Sequence, residues 1–153
     1  MYARFREKGF EFFTIYVREP HPGEHYHEHR TLEQKVQYAR DCRAQDEIMT
    51  PLLVDDLSGT VHRAYGEMPN MVYVIDKQGK IVYKAMWTDH ADIETVLDNL
   101  VMADEMAAKG IRVRPSYSEK LSFVAGYGQE VREKVLERAG PKARHDLQAA
   151  FGR

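Results

Sequence analysis

Residues 10–17 (FEFFTIYV) are almost continuously apolar and rich in aromatic and β-branched side chains, and no other segment limits the fold as tightly. Such a run suits a parallel strand covered on both faces, which requires helices above and below the sheet and therefore an α/β architecture. What precedes it is helical. Residues 1–9 (MYARFREKG) have the pattern of the last turns of a helix without a start. Tyr2 and Phe5 fall on one face, Arg4, Arg6, Glu7 and Lys8 suit solvent, and Gly9 stands where a C-terminal cap belongs.

Strand and helix periods then alternate. The polar loop 18–30 carries Pro20, Pro22, Gly23 and the histidines His21, His25, His27 and His29. Thr31-Leu32-Glu33-Gln34 has the spacing of a capping box, and Leu32, Val36, Ala39 and Cys42 form one stripe of a helix that should end near Gln45. Pro51 introduces a short strand, Leu52-Leu53-Val54, which ends at Asp55-Asp56. A short helix follows, with Thr60 as its N-cap and Gly66 in the left-handed conformation at its end. The β-rich runs 71–76 (MVYVID) and 80–85 (KIVYKA) flank a turn at Gly79 and predict a hairpin. Trp87 is expected to cover a sheet edge and the methionines to fill core. Asp89 caps an amphipathic helix through Ile93, Val96, Leu97, Leu100 and Val101, reaching Lys109 before Gly110. Beyond it, Ser116-Tyr117-Ser118-Glu119 could cap a short helix, 129–139 is amphipathic, Gly140-Pro141 breaks it, and 142–151 is helical again. The division is a domain over 1–101 that begins inside its first helix, and a helical extension over 102–153.

With 153 residues, 43% hydrophobic and 30% charged, the chain suits one globular domain able to bury a sizeable core. No apolar run approaches the ~20 residues of a spanning helix and no signal-peptide pattern opens the sequence, so no membrane partner and a cytoplasmic location are expected. The net charge of −2, with basic residues scattered among acidic ones, gives no footprint for nucleic acid. Cys42, the single cysteine, excludes an intrachain disulfide and a CxxC pair. It lies deep within a helix, where the dipole gives a thiolate no help, and is expected to pack as a small apolar side chain. Asp55-Asp56 should cap or turn. His21, Glu24, His25, His27 and His29 could gather around Zn²⁺, Ni²⁺ or Cu²⁺. Ligands this closely spaced rarely close a shell without a distant partner, so an exposed polar loop is the favoured expectation.

Strand, helix, strand, short helix, hairpin, helix is the order of thioredoxin-like redoxins after their first strand and first helix. Tyr16-Val17-Arg18-Glu19-Pro20-His21-Pro22 resembles a strand-end segment of the iodothyronine deiodinase family, and His29-Arg30-Thr31-Leu32-Glu33 resembles that family's next signature. Val54-Asp55-Asp56, Ala64-Tyr65-Gly66, Val72-Tyr73-Val74-Ile75-Asp76 and Gly79-Lys80-Ile81-Val82-Tyr83-Lys84 continue the match over residues 2–100. Peroxiredoxin-like redoxins share much of the pattern.

The resemblance implies a thioredoxin-like α/β fold, three layers around a mixed sheet, N-terminally incomplete and followed by a C-terminal helical extension. It implies a thiol or selenol oxidoreductase performing reductive dehalogenation or peroxide or disulfide reduction. The partners would be a small-molecule substrate or thiol reductant, with no cofactor. In the family a cysteine or selenocysteine sits at the N-terminus of the first helix, ahead of the residues matched here, and little turnover is expected from this chain alone. Glu19, His21 and His29 match the family's polar, proton-delivering cluster, and Met68-Pro69 matches the position where a cis proline lines the redoxin site. The hormone clamp is not expected, since Asn70-Met71 stands where the family has an arginine. A thioredoxin-like sheet would place its first strand between 10–17 and 71–76, so without it two edges should be unpaired. Homo-oligomerisation through those edges or through the C-terminal helices is the implied assembly. The alternative is a noncatalytic, redoxin-derived binding or assembly module.

Overall fold

The computed structural model describes residues 1–68, 70–116 and 129–151. Helix α1 (Tyr2–Arg6) leads into strand β1 (Thr14–Tyr16), helix α2 (Leu32–Gln45), strand β2 (Leu52–Val54) and the short helix α3 (Thr60–Ala64). Strands β3 (Val72–Ile75) and β4 (Ile81–Ala85), then helices α4 (His90–Ala108), α5 (Gln129–Ala139) and α6 (Pro141–Phe151), complete the order. The chain is mixed α/β. Among the described residues, no helix is long and apolar enough to cross a membrane.

The described strands make two separate sheets. β1 pairs in parallel with β2, with Ile15 opposite Leu53, and β3 pairs antiparallel with β4, with Val74 opposite Tyr83. No ladder joins β1 to β3 among the described residues. Among the described residues β1 and β3 therefore each keep one edge without a ladder partner.

The main core gathers α1, β3, β4 and α4 around the segment that leads into β1. Phe5, Val74, Ile93 and Leu97 are buried as one cluster, with Phe10, Phe12, Val72 and Tyr83 packed against it. Phe5 meets Phe10 edge to face with ring centroids 5.6 Å apart, and Tyr2 meets Phe12 at 5.3 Å. Gly9, at φ 86°, lets the chain reverse out of α1, and the Phe10 N–H returns to the Phe5 carbonyl at 3.1 Å. Arg4 binds Glu94 and Asp98 of α4, fastening the two helices from outside.

Several expectations are corrected. The 10–17 run is not covered on both faces: Phe10, Phe12 and Tyr16 turn inward by strand alternation, whereas Phe13 is 61% exposed and Ile15 also faces out. Only three residues pair, because β2 offers a partner on one side alone. On α2 the buried positions are Lys35 and Ala39, while Leu32 is exposed. The Lys35 Nζ donates to the Asp56 carbonyl at 2.8 Å, which rotates the helix one residue from the apolar stripe. Helix α3 has Gly59 (φ 72°) at its N-cap rather than Thr60, and the Asp55 carboxylate caps it from the preceding strand end. Trp87 bridges Asn70 through its backbone, but its side chain is 56% exposed. Six of the seven methionines, all but Met71, are exposed rather than core. The helix expected from Asp89 to Lys109, by contrast, forms as α4 and ends at Ala108.

Asp89 caps α4 by accepting from Ala91 and Asp92 N–H at 2.9 and 3.1 Å, and Gly79 turns the β3–β4 hairpin at φ 77°. Helices α5 and α6 bury Leu136, Ala139 and Ala143 in a second, smaller core. That pair packs back on the histidine loop. Gly23 lies directly against the Ala139 carbonyl, the His25 N–H donates to it at 3.2 Å, and the Lys142 N–H donates to both Glu24 oxygens at 2.9 Å.

Candidate functional site

Parallel pairing with β2 and the alternation of β1 bring Tyr16 inward at the strand's C-terminal end, where the chain turns and buries Glu19 three residues later. The Tyr16 hydroxyl donates to Glu19 Oε2 at 2.9 Å and lies 3.3 Å from His29 Nε2. A hydroxyl that donates to the carboxylate can accept from the imidazole N–H, so the three groups form one chain for moving a proton. Aromatic rings fix its geometry. His29 stands edge-on to Tyr16 with centroids 5.5 Å apart and 5.5 Å from Tyr38 of α2, which in turn stacks edge-on with Tyr26 at 4.9 Å. The Thr31 cap, which accepts from the Gln34 N–H at 3.2 Å, starts α2 just after His29 and so sets where Tyr38 falls.

Burial governs the charges. Glu19 is 7% exposed, and its Oε1 is buried without a hydrogen-bond partner among the described residues. That burial raises its carboxyl above the ordinary range, moderated by the Tyr16 hydrogen bond and the charge of Arg138. Burial and then the Glu19 charge push the Tyr16 phenol up. Burial and the nearby Lys35 charge lower His29, keeping its imidazole neutral to lower pH. A carboxyl raised above its ordinary range, joined through a hydroxyl to an imidazole lowered below its own, is a pairing suited to proton transfer.

The site residues expected from sequence separate. Glu19 and His29 meet through Tyr16, but His21 lies in a shallow cleft of about 180 Å³ against Ala143, Leu147 and Ala150 of α6. Burial and the charge of Arg132 lower its imidazole. Met68 is exposed, and Pro69, like residues 117–119 of the Ser116 motif, lies outside the described residues. The histidine loop is occupied with the C-terminal helices: Glu24 caps α6, and His25 Nδ1 is 3.0 Å from the Arg138 carbonyl. Among the described residues no three His, Cys, Asp or Glu side chains are placed to hold a metal ion.

Cys42 is half-buried and donates from Sγ to Asp46 Oδ2 at 3.2 Å. Burial, then the Asp46 hydrogen bond and charge, push its thiol up to about 11, which removes nucleophilic character at neutral pH. Tyr16, Tyr38 and Arg138 belong to the site without having been singled out. Counting alternate residues inward from Phe10 would have found Tyr16. Nothing local signals Arg138, which arrives from α5.

Asp55 caps rather than catalyses. Its oxygens accept from the Asp56, Val61 and His62 N–H groups at 2.9, 3.0 and 2.9 Å. Burial opposes ionisation, yet those three donors and the Lys35 charge outweigh it and hold the carboxyl below its ordinary 3.8. A depressed folded value makes the contribution of Asp55 complete above about pH 4 and lost as pH falls through the lower folded value. Urea unfolding between pH 2 and 5 is expected to show a steeper acid loss for the parent chain than for Asp55→Asn. Equal slopes would count against this role.

No family model, curated protein or solved structure matches the chain.

Proposed function

We propose that the chain is a thioredoxin-like redoxin acting in the cytoplasm, an oxidoreductase of the thiol or selenol class in which Glu19, Tyr16 and His29 deliver the proton. The observation that carries this reading is the buried Glu19–Tyr16–His29 chain at the C-terminal end of a parallel strand, where ligands gather in open α/β sheets. The open edges of β1 and β3 and the order of elements also support it. The resemblance assigns attack to a thiolate or selenolate at the head of the first helix, and Cys42, with its raised thiol, is no substitute. When such a nucleophile opens a peroxide or disulfide, the expelled oxygen or sulfur needs a proton. When it takes iodine from a carbon, the carbon does. Glu19 gives that proton and regains one from His29 Nε2 through the Tyr16 hydroxyl, as His29 Nδ1 takes up a proton from solvent.

Assayed with a thiol reductant against hydroperoxide, disulfide and aryl iodide, Glu19→Gln and Tyr16→Phe are expected to lower kcat/KM by about 10²-fold, the usual worth of a general acid. His21→Gln should have a far smaller effect, since the structure sets that imidazole against α6. Full activity in Glu19→Gln would refute the role. So would turnover by residues 1–153 that Cys42→Ser abolishes.

A noncatalytic binding module is the second reading, favoured by the exposure of Phe13, Ile15 and Leu53 on one face of β1 and β2. No turnover on any of the three substrates, together with a stable dimer in light scattering, would select it.

A further inference from the structure

We propose that Tyr16 is a redox-active tyrosine, which takes up the electron hole that a one-electron oxidant leaves in the aromatic row Tyr26–Tyr38–His29–Tyr16 and passes its phenol proton to Glu19. This goes beyond the proton delivery proposed above and does not depend on it. The row is continuous. Ring centroids lie 4.9 Å apart from Tyr26 to Tyr38, 5.5 Å from Tyr38 to His29 and 5.5 Å from His29 to Tyr16. Each ring therefore touches the next at the spacing of packed aromatic pairs. Tyr26 and Tyr38 are half-buried and Tyr16 is buried, so an electron can leave at the outer end while the hole rests away from solvent.

Hydrogen bonding and charge decide which of the three phenols keeps the hole. A phenol that loses an electron becomes strongly acidic, so the hole is held where a base already accepts that proton. Tyr16 donates to Glu19 Oε2 at 2.9 Å. The Tyr38 hydroxyl instead accepts from Gln34 Nε2 at 3.0 Å and from the His27 N–H at 3.3 Å, and neither contact takes a proton from it. The Tyr26 hydroxyl accepts from Gln45 Nε2 at 2.9 Å and reaches Asp41 Oδ2 only at 3.5 Å, the outer limit of a hydrogen bond. The Arg138 guanidinium carbon lies 5.7 Å from the Tyr26 ring centroid, and a cation over a ring disfavours positive charge in it. Imidazole is harder to oxidise than phenol, which makes His29 a bridge.

The step balances. The oxidant, for example a peroxyl radical, gains one electron and becomes the peroxide anion. Tyr16 loses that electron through the row, its O–H bond breaks, and the proton joins the Glu19 carboxylate at Oε2. A neutral phenoxyl radical remains, hydrogen-bonded to a neutral carboxyl. A one-electron reductant of the ascorbate class returns the electron while Glu19 returns the proton.

The test oxidises the whole chain with azide radical from pulse radiolysis, at mildly alkaline pH so that Glu19 is ionised. Phenoxyl absorbance and EPR of freeze-quenched samples follow the product. The sequence holds nine tyrosines, so the radical must be assigned. Ring-deuterated tyrosine at position 16 alone leaves folding untouched and is expected to collapse the ring-proton hyperfine splitting of the longest-lived radical. Tyr16→Phe should remove that radical. Glu19→Gln still accepts the Tyr16 hydrogen bond but is no base, and should shorten the radical's lifetime. Tyr38→Leu should slow its appearance without removing it. An unchanged hyperfine pattern in the labelled chain would overturn the proposal, as would a parental lifetime in Glu19→Gln. A parental rate of appearance in Tyr38→Leu would overturn the row as the route. No readout involves turnover, so an inactive chain defeats the oxidoreductase reading and leaves this one standing.

Discussion

Phe5→Ala is expected to lower the stability of the chain by about 3–5 kcal/mol, the range for truncating a buried phenylalanine, and to lower Tm by roughly 10 °C for a domain of this size. Phe5 is fully buried, and it is the side chain through which α1 reaches Val74, Ile93 and Leu97. A five-residue helix has no independent stability, so its place depends on that contact and on the Arg4 pairs with Glu94 and Asp98. The exposed ion pairs contribute little by comparison. Loss of Phe5 leaves a cavity beside Val74, Ile93 and Leu97 and removes the ring against which Phe10 packs. Thermal unfolding by circular dichroism measures the effect. A drop in Tm of only a degree or two would show that α1 is not integral to the core. Phe13→Ala, at an exposed position on the same segment, is the matched control and should change Tm little.

Gly23→Ala is expected to unseat the α5–α6 pair. A Cβ at this position would lie 2.8 Å from the Ala139 carbonyl carbon and 3.3 Å from the Ala143 Cβ, against backbone that cannot move aside alone. Overpacking of this kind costs about 1–3 kcal/mol, and here it acts where the loop and the two helices touch most closely. The His25 and Glu24 hydrogen bonds to α5 and α6 should fail together, since both flank the clash. Hydrogen exchange would report faster exchange across 129–151 with β3, β4 and α4 unchanged. Unaltered protection of α5 and α6 would show that the loop yields instead. Glycine is needed here for space, not for backbone conformation.

The parts of the fold legible in sequence are those with local causes. Asp89 capping α4, Thr31 starting α2, and Gly79 and Gly66 with positive φ each act within a few residues of themselves. The extent of β1 was not legible, because a strand is as long as its partner allows and the partner β2 lies over thirty residues away. The burial of Lys35 was equally hidden: a charged side chain goes inside only when a specific acceptor waits, and that acceptor is the Asp56 carbonyl. In the candidate site, spacing and resemblance singled out Glu19 and His29, but the group that joins them is an ordinary strand tyrosine. His21 followed its proline neighbours toward α6 because the C-terminal helices supply an apolar wall there. Arg138 depends on how two remote segments pack, which no local period encodes.

The separation of β1–β2 from β3–β4 has a consequence for how the molecule opens. With no backbone ladder between them among the described residues, the breaking of one sheet is not passed to the other, and each can fluctuate as its own cooperative unit. The amide protons of β1 would then exchange with solvent independently of those of β3. Tyr16, at the end of the less supported pair, would carry the proton relay in and out of alignment with that motion.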